Sequence, residues 1–150
     1  MKRFMIFGSF SGTNAGDTAV LYSIIDKLER CCPGSLYYVP TTVPLFFRKL
    51  WHGPKGSNVR PISMRVRHGA YGFISLHTLA AILRCDAVFT TANMFFDKNL
   101  FSPWNNLVGT LLPVLIWYRF FRRKKLIIAA CITANSPTNK LGKFVLRSAL

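Results

Sequence analysis

The fold of this chain turns on Phe4-Met5-Ile6-Phe7-Gly8-Ser9-Phe10-Ser11-Gly12-Thr13-Asn14-Ala15-Gly16-Asp17, which runs directly into Thr18-Ala19-Val20-Leu21-Tyr22-Ser23-Ile24-Ile25-Asp26-Lys27-Leu28. A short apolar run ends in a loop rich in Gly, Ser and Asn, and the period then changes, with Leu21, Ile24, Ile25 and Leu28 falling on one helical face. This spells strand, turn and helix. Gly8, Gly12 and Gly16 tolerate positive φ, and Asn14 can close its own backbone. Asp17 stands where an N-cap belongs, its carboxylate able to accept from the first-turn amides. As the first unit of a parallel sheet, such a turn would carry a ligand above the carboxyl end of its strand.

Further along, Cys32-Pro33-Gly34 stops the helix, and Lys27 and Arg30 suit the negative end of its dipole. Leu36 to Val39 reads as a strand closed by Pro40, and Pro44 to Trp51 as a short helix opened by proline. A turn covers Gly53 to Asn58, and Val59 to Ile62 forms a brief edge strand, because Pro61 cannot donate to a ladder. Near-helical spacing of Ile74, Leu79, Ile82 and Leu83 predicts a helix over Tyr71 to Leu83. Cys85 to Thr91 and Lys125 to Cys131 are apolar runs suited to buried parallel strands. Each leads into a polar loop, Ala92 to Asn99 and Thr133 to Asn139, and Thr-Ala-Asn recurs at 91–93 and 133–135. Helices are expected from Trp104 and from Lys140 to Leu150. Alternating strands and helices predict an α/β fold, a Rossmann-like doubly wound parallel sheet covered on both faces. One domain spans 1–150, and because the chain stops inside an apolar helical run without a cap, a fragment of a longer protein is expected.

Composition narrows the classes. Hydrophobic residues make up 51%, with 13 Phe and 3 Trp, so the chain has material for a real core and disorder is excluded. Against 20 Lys and Arg stand 5 Asp and Glu, a formal charge of +15, which predicts either a solvated basic surface or an anionic partner. Leu107 to Tyr118 is almost wholly apolar and precedes Arg119 and Arg122 to Lys125, but it falls short of the roughly 20 residues of a membrane span. It also contains Pro113. A buried helix is expected there, with an interfacial one as the alternative. Cys31, Cys32, Cys85 and Cys131 form no C-x-x-C pair, and Met1-Lys2-Arg3 opens no signal peptide. Zinc is not expected, and reduced thiols in the cytoplasm are.

The chemistry on offer is limited. Gly12 and Gly16 lie one residue too close for a Walker A loop, with Asp17 in place of the lysine, and G-x-G-x-x-G is absent. The amides of Gly8 to Gly16 remain able to hold a phosphate, carboxylate or sugar beside the helix start, while on sequence alone the favoured reading of Asp17 is a purely structural cap. His52, His68 and His77 have no ligand spacing, and H-E-x-x-H and G-x-S-x-G are missing. Asp26 and Glu29 are expected on the solvent face of the first helix, which leaves Asp17 and Asp97 as the acids at loop ends. No carboxylate pair, metal site or catalytic residue can be assigned. Asn93 and Asn135 occupy equivalent loops, as turn-formers or ligand contacts.

Gly8-Ser9-Phe10 followed by Asn14-x-Gly16-Asp17 and the helix Ala19-Val20-Leu21-x-x-x-Ile25-x-x-Leu28 resembles the opening of the polysaccharide pyruvyl transferase family. Cys85-Asp86-Ala87-Val88 is similar to that family's Asp-hydrophobic-hydrophobic strand, and Leu126 to Asn135 with Gly142 to Arg147 to its next strand, loop and helix. Thr91-Ala92-Asn93-Met94 departs from the glycine pair or triplet the family usually carries after that strand. The resemblance implies one lobe of a two-lobed, GT-B-like enzyme with the ligand cleft between lobes. It further implies phosphoenolpyruvate as donor substrate, no cofactor, and a saccharide acceptor in a cell-surface glycan or its lipid-linked precursor. The donor-binding His and Arg would lie in a carboxy-terminal lobe that this chain lacks. Gly8, Ser9, Asn14, Gly16 and Asp17 would line the donor or acceptor side, joined by Asn93 and Asn135, at the inner face of an anionic membrane. Two rivals stand beside this reading: a sugar-nucleotide-dependent glycosyltransferase lobe, and a non-enzymatic basic module that binds membrane or nucleic acid. Nucleic acid ranks last, since no aromatic-basic recognition motif is present.

Overall fold

In a computed structural model that describes residues 1–8, 10, 12–68, 71–91, 116, 117, 120 and 125–129, the opening stretch builds β1 (Arg3–Phe7) and α1 (Ala15–Cys31). The chain continues through β2 (Leu36–Thr41), α2 (Pro44–Leu50), β3 (Asn58–Ser63), β4 (Arg65–His68), β5 (Tyr71–Ile74), α3 (Leu76–Arg84), β6 (Ala87–Thr91) and β7 (Lys125–Ala129). Five of these strands form one sheet in the order β3-β2-β1-β6-β7, and every pairing in it is parallel. This is the Rossmann-like α/β arrangement expected from the alternation. The loops expected at Ala92–Asn99 and Thr133–Asn139, and the helices from Trp104 and Lys140, lie outside the described residues.

Chain direction explains the layers. Phe4 and Ile6 of β1, Tyr37 and Val39 of β2, and Ala87 and Phe89 of β6 share one sheet face, and Leu21 and Ile25 of α1 and Phe47 of α2 close over it. Phe4 stacks on Tyr37 and meets Phe89 edge-on at 5.8 Å, so aromatic packing joins the three central strands. Met5, Phe7 and Val88 alternate with those residues and face the other way, all fully buried. The steps β1-α1-β2 and β2-α2-β3 move outward, whereas β3-α3-β6 returns past them. With right-handed crossovers that return places α3 on the opposite face, where it buries Thr78, Ala81 and Ile82.

Hydrogen bonds tie down both ends of the sheet's strands, at β1–β6 on the amino side and at β3 on the carboxyl side. At the amino edge Asp86 Oδ2 accepts from the Arg3 amide at 2.8 Å while the Asp86 amide donates to the Arg3 carbonyl at 2.8 Å, so this acid sets the β1–β6 register. At the carboxyl edge the Ser63 carbonyl, the last of β3, accepts from the hydroxyl of Ser75 and from Thr78 Oγ1 at 2.7 Å. Ser75 in turn caps α3, accepting from the Thr78 amide at 3.1 Å.

Two sequence expectations are corrected here. Tyr71 to Ile74 is not helical: it pairs antiparallel with Arg65–His68 as a hairpin outside the main sheet. α3 starts only after Ser75, whose side chain supplies the cap. Glu29 does not sit on the solvent face either; its Oε2 accepts from the Gly34 amide at 3.0 Å, and its Oε1 is buried. Asp26 does face outward, paired with Arg30 at 2.8 Å.

Candidate functional site

Successive strands leave β1 in opposite directions, to β2 on one side and to β6 on the other. A sheet so ordered has a topological switch point between β1 and β6, the place where open parallel sheets receive their ligands. The candidate site is this crevice. Its floor is the carboxyl end of β1 at Phe7 and Gly8, in register with Thr90 of β6. One wall is the turn Gly12–Asn14 with the first turn of α1.

The turn is built differently from what the sequence suggests. Asn14, not Asp17, is the N-cap: its backbone is extended, and its Oδ1 accepts from the Gly16 amide at 3.0 Å. Its carbonyl takes the first helical bond from the Thr18 amide at 3.0 Å and a second from Thr18 Oγ1 at 2.8 Å. A short Asn side chain reaches the second helical amide where an acid three residues later cannot, because that residue is already inside the helix. Asp17 therefore occupies the third helical position and brings its charge to the positive end of the dipole. Of the three loop glycines only Gly12 takes a positive φ, 83°; Gly16 is helical and Gly8 lies buried at the strand end. Gly12 packs on α2, where an added Cβ would meet Leu50 at 3.6 Å, an ordinary contact. Backbone conformation, not space, is what demands glycine there.

Helical spacing fixes the direction of Asp17. Asp17, Leu21, Ile24 and Leu28 follow one another at i, i+4, i+7 and i+11, one stripe along α1. Leu21 is buried against the sheet, and Ile24 and Leu28 line a groove closed by Phe89 of β6. Asp17 thus caps the stripe at the carboxyl edge, on the β6 side of α1, half-buried. On the other flank a shallow hollow is lined by Gly12, Thr13, Ala15, Thr18, Ala19 and Tyr22. None of Gly8, Asn14, Gly16 and Asp17 lines either depression, and Asn14 and Gly16 are exposed. Ser9, Asn93 and Asn135 lie outside the described residues, as does Asp97.

The structure adds Thr90. It stands at the carboxyl end of β6 on the face away from α1, fully buried, and its Oγ1 has no hydrogen-bond partner among the described residues. Thr90 ends the apolar run Val88-Phe89 in the sequence, but only its register with Phe7 of β1 gives it a place at the site. His52 and His77 are both exposed, on separate parts of the chain, and no group of His, Cys, Asp or Glu among the described residues can hold a metal ion. No described helix is long and apolar enough to cross a membrane.

Buried Tyr37 and half-buried Glu29 form a second polar pair, below the core near the start of β2. Burial first, and then the Glu29 carboxylate, push the Tyr37 hydroxyl well above the ordinary phenol range. The two groups influence each other at short range, but neither the hydroxyl nor Glu29 Oε1 makes a hydrogen bond of good geometry. They lie at the end of the sheet opposite the crevice and take no part in it.

Comparison of the chain with protein-family models, curated proteins and solved structures finds no match.

Proposed function

We propose that this chain is the ligand-binding lobe of a polysaccharide pyruvyl transferase-like enzyme. The reaction moves the pyruvyl group of phosphoenolpyruvate onto two hydroxyls of a sugar as a ketal, with release of phosphate. The observation that carries the reading is Asp17, half-buried in the first turn of α1 on the side facing β6, at the switch point where an open parallel sheet receives its ligand. The Asn14-x-Gly16-Asp17 turn that carries the family resemblance forms this wall.

The chemistry of the wall favours the acceptor over the donor. Asn14 already spends its side chain on the Gly16 amide, and Asp17 sets a negative charge at the helix start. An anion approaching α1 would meet that charge, so the dipole's pull on phosphoenolpyruvate is offset from within. A sugar hydroxyl instead finds in Asp17 a charged acceptor, the stronger kind of partner. Cations for the donor would come from the opposite lobe. A nucleotide-sugar glycosyltransferase is the second reading, favoured by the strand order β3-β2-β1-β6-β7, which is the nucleotide-binding order.

Acceptor-dependent release of phosphate from phosphoenolpyruvate by the protein at its full natural length tests the first reading. Asp17→Asn keeps the shape and removes the charge. Turning a charge-assisted hydrogen bond into a neutral one, about 1–1.5 kcal/mol, lowers kcat/KM for the acceptor by roughly five- to tenfold. Turnover that is absent in the wild type, or unchanged in Asp17→Asn, removes the assignment; calorimetric binding of a nucleotide sugar in its place selects the second.

A further inference from the structure

The short helix α2 turns an unusual face to solvent. Leu45 is 75% exposed, Phe46 46% and Leu50 42%, and Val43 just before the helix is exposed as well. Scattered exposed apolar residues need no explanation, but here they fall within one segment of eight consecutive positions, 43–50. Arg48 and Lys49, both exposed, are interleaved with them. By helical spacing Leu45 lies between Arg48 at i+3 and Lys49 at i+4, and Phe46 between Lys49 and Leu50. The inward side is held by Phe47, which is buried in the core and stacked on Trp51 at 5.4 Å. The fold therefore projects an apolar tip with cations around it.

Charge along the chain points the same way. Between Glu29 and Asp86 there is no acidic residue, while Arg48, Lys49, Lys55, Arg60, Arg65 and Arg67 all lie there. We propose that α2 is the docking face for an anionic lipid bilayer, with Leu45 and Phe46 entering the interface and Arg48 and Lys49 at the headgroup phosphates. Long basic side chains around an apolar tip are suited to this, since their stems follow the apolar groups inward while their charges stay at the headgroups. A protein partner fits less well, because the cores of protein interfaces are depleted in lysine. The face also has a useful position. α2 begins just past the carboxyl end of β2, and Leu50 touches the Gly12 turn, so a bilayer docked there lies beside the crevice. A lipid-linked acceptor would then be within reach, but vesicle binding does not depend on pyruvyl transfer, and the two fail separately.

The test is co-sedimentation of the full chain with phosphatidylcholine vesicles, with and without 30% phosphatidylserine (about this fraction gives a clearly anionic surface). Binding is expected to require phosphatidylserine and to weaken with added salt. Leu45→Ser with Phe46→Ser should weaken it about tenfold or more. Arg48→Glu with Lys49→Glu should weaken it by roughly 25-fold or more, about fivefold for each cation removed. Lys2→Glu with Arg84→Glu makes the same change of net charge at the opposite edge and should change it less than about threefold. All six side chains are exposed, so folding is checked by melting; if the double serine variant unfolds, Leu45→Gln alone is expected to lower partition by about threefold or more. Three results overturn the proposal: serine or glutamine variants that bind like wild type, a control pair as damaging as the α2 pair, or a dimer in sedimentation that Leu45→Ser with Phe46→Ser abolishes.

Discussion

Replacing Asn14 by alanine separates the two possible starts of α1. In the structure Asn14 contributes one side-chain hydrogen bond, Oδ1 to the Gly16 amide at 3.0 Å, from a backbone at φ −93° and ψ 113° that alanine adopts freely. No backbone strain is therefore added, and the cost is the cap alone, within about 0.5–2 kcal/mol. Because Gly16 is exposed, its amide passes to water when the cap is lost, so the upper end does not apply and about 1 kcal/mol is expected. For a chain of this size that lowers Tm by about 2–4 °C. Urea denaturation followed by far-ultraviolet circular dichroism should give a lower midpoint with an unchanged slope. Asn14→Asp keeps the acceptor and should hold stability within about 0.5 kcal/mol of wild type, the gain from the dipole being offset by the charge of Asp17. If Asn14→Ala is silent while Asp17→Ala costs 1 kcal/mol or more, the cap is Asp17, the helix starts later, and the side of α1 assigned to that carboxylate is wrong.

Gly12→Ala forces a β-carbon into the left-handed region and should cost about 1–2 kcal/mol in a chemical melt, with space around it not the cause. Phe47→Ala removes a buried anchor of α2 and should cost about 3–5 kcal/mol, a large share of the total stability of a domain. Tyr37 should make the fold sensitive to alkali. Its folded-state value is raised, so its contribution is complete below the ordinary phenol value, about 10, and is lost as pH rises beyond it. Tyr37→Phe should flatten the decline in Tm above about pH 10 and leave stability near neutrality unchanged or up to about 1 kcal/mol higher, since the hydroxyl is buried without a well-formed bond. A loss greater than 1 kcal/mol at pH 7 would mean that the hydroxyl is bonded to Glu29 after all.

Much of the fold is legible in the sequence because parallel strands in this chain are short unbroken apolar runs, and Phe4–Phe7, Ala87–Phe89 and Leu126–Ile128 each stand out as such. Pro44 at a helix start and Pro61 in an edge strand carry backbone rules that hold regardless of context. The hairpin is hidden in the sequence because Ile74, Leu79, Ile82 and Leu83 mimic a helical period across an element boundary. Two local signals argued otherwise: Gly72 would weaken a helix interior, and Ser75 is a good cap three residues before Thr78. Asn14 lost to Asp17 as the cap for a related reason. Both are good N-cap residues, and only the backbone, extended at Asn14 and helical at Asp17, decides between them. Within the site, Asp17 could be named from the sequence, but its direction required the stripe it shares with Leu21, Ile24 and Leu28 to be seen against Phe89. Thr90 could not be singled out, because its meaning comes from its register with Phe7 at the switch point.

The location of the ligand can be measured by hydrogen–deuterium exchange on the protein at its full natural length, with the proposed donor phosphoenolpyruvate and with any saccharide that supports its turnover. Slowed exchange is expected at Gly12–Asp17 and at Thr90–Thr91, the two sides of the crevice between β1 and β6. Slowed exchange confined to Cys32–Leu36 and Asp86, at the amino edge of the same sheet, would contradict the account.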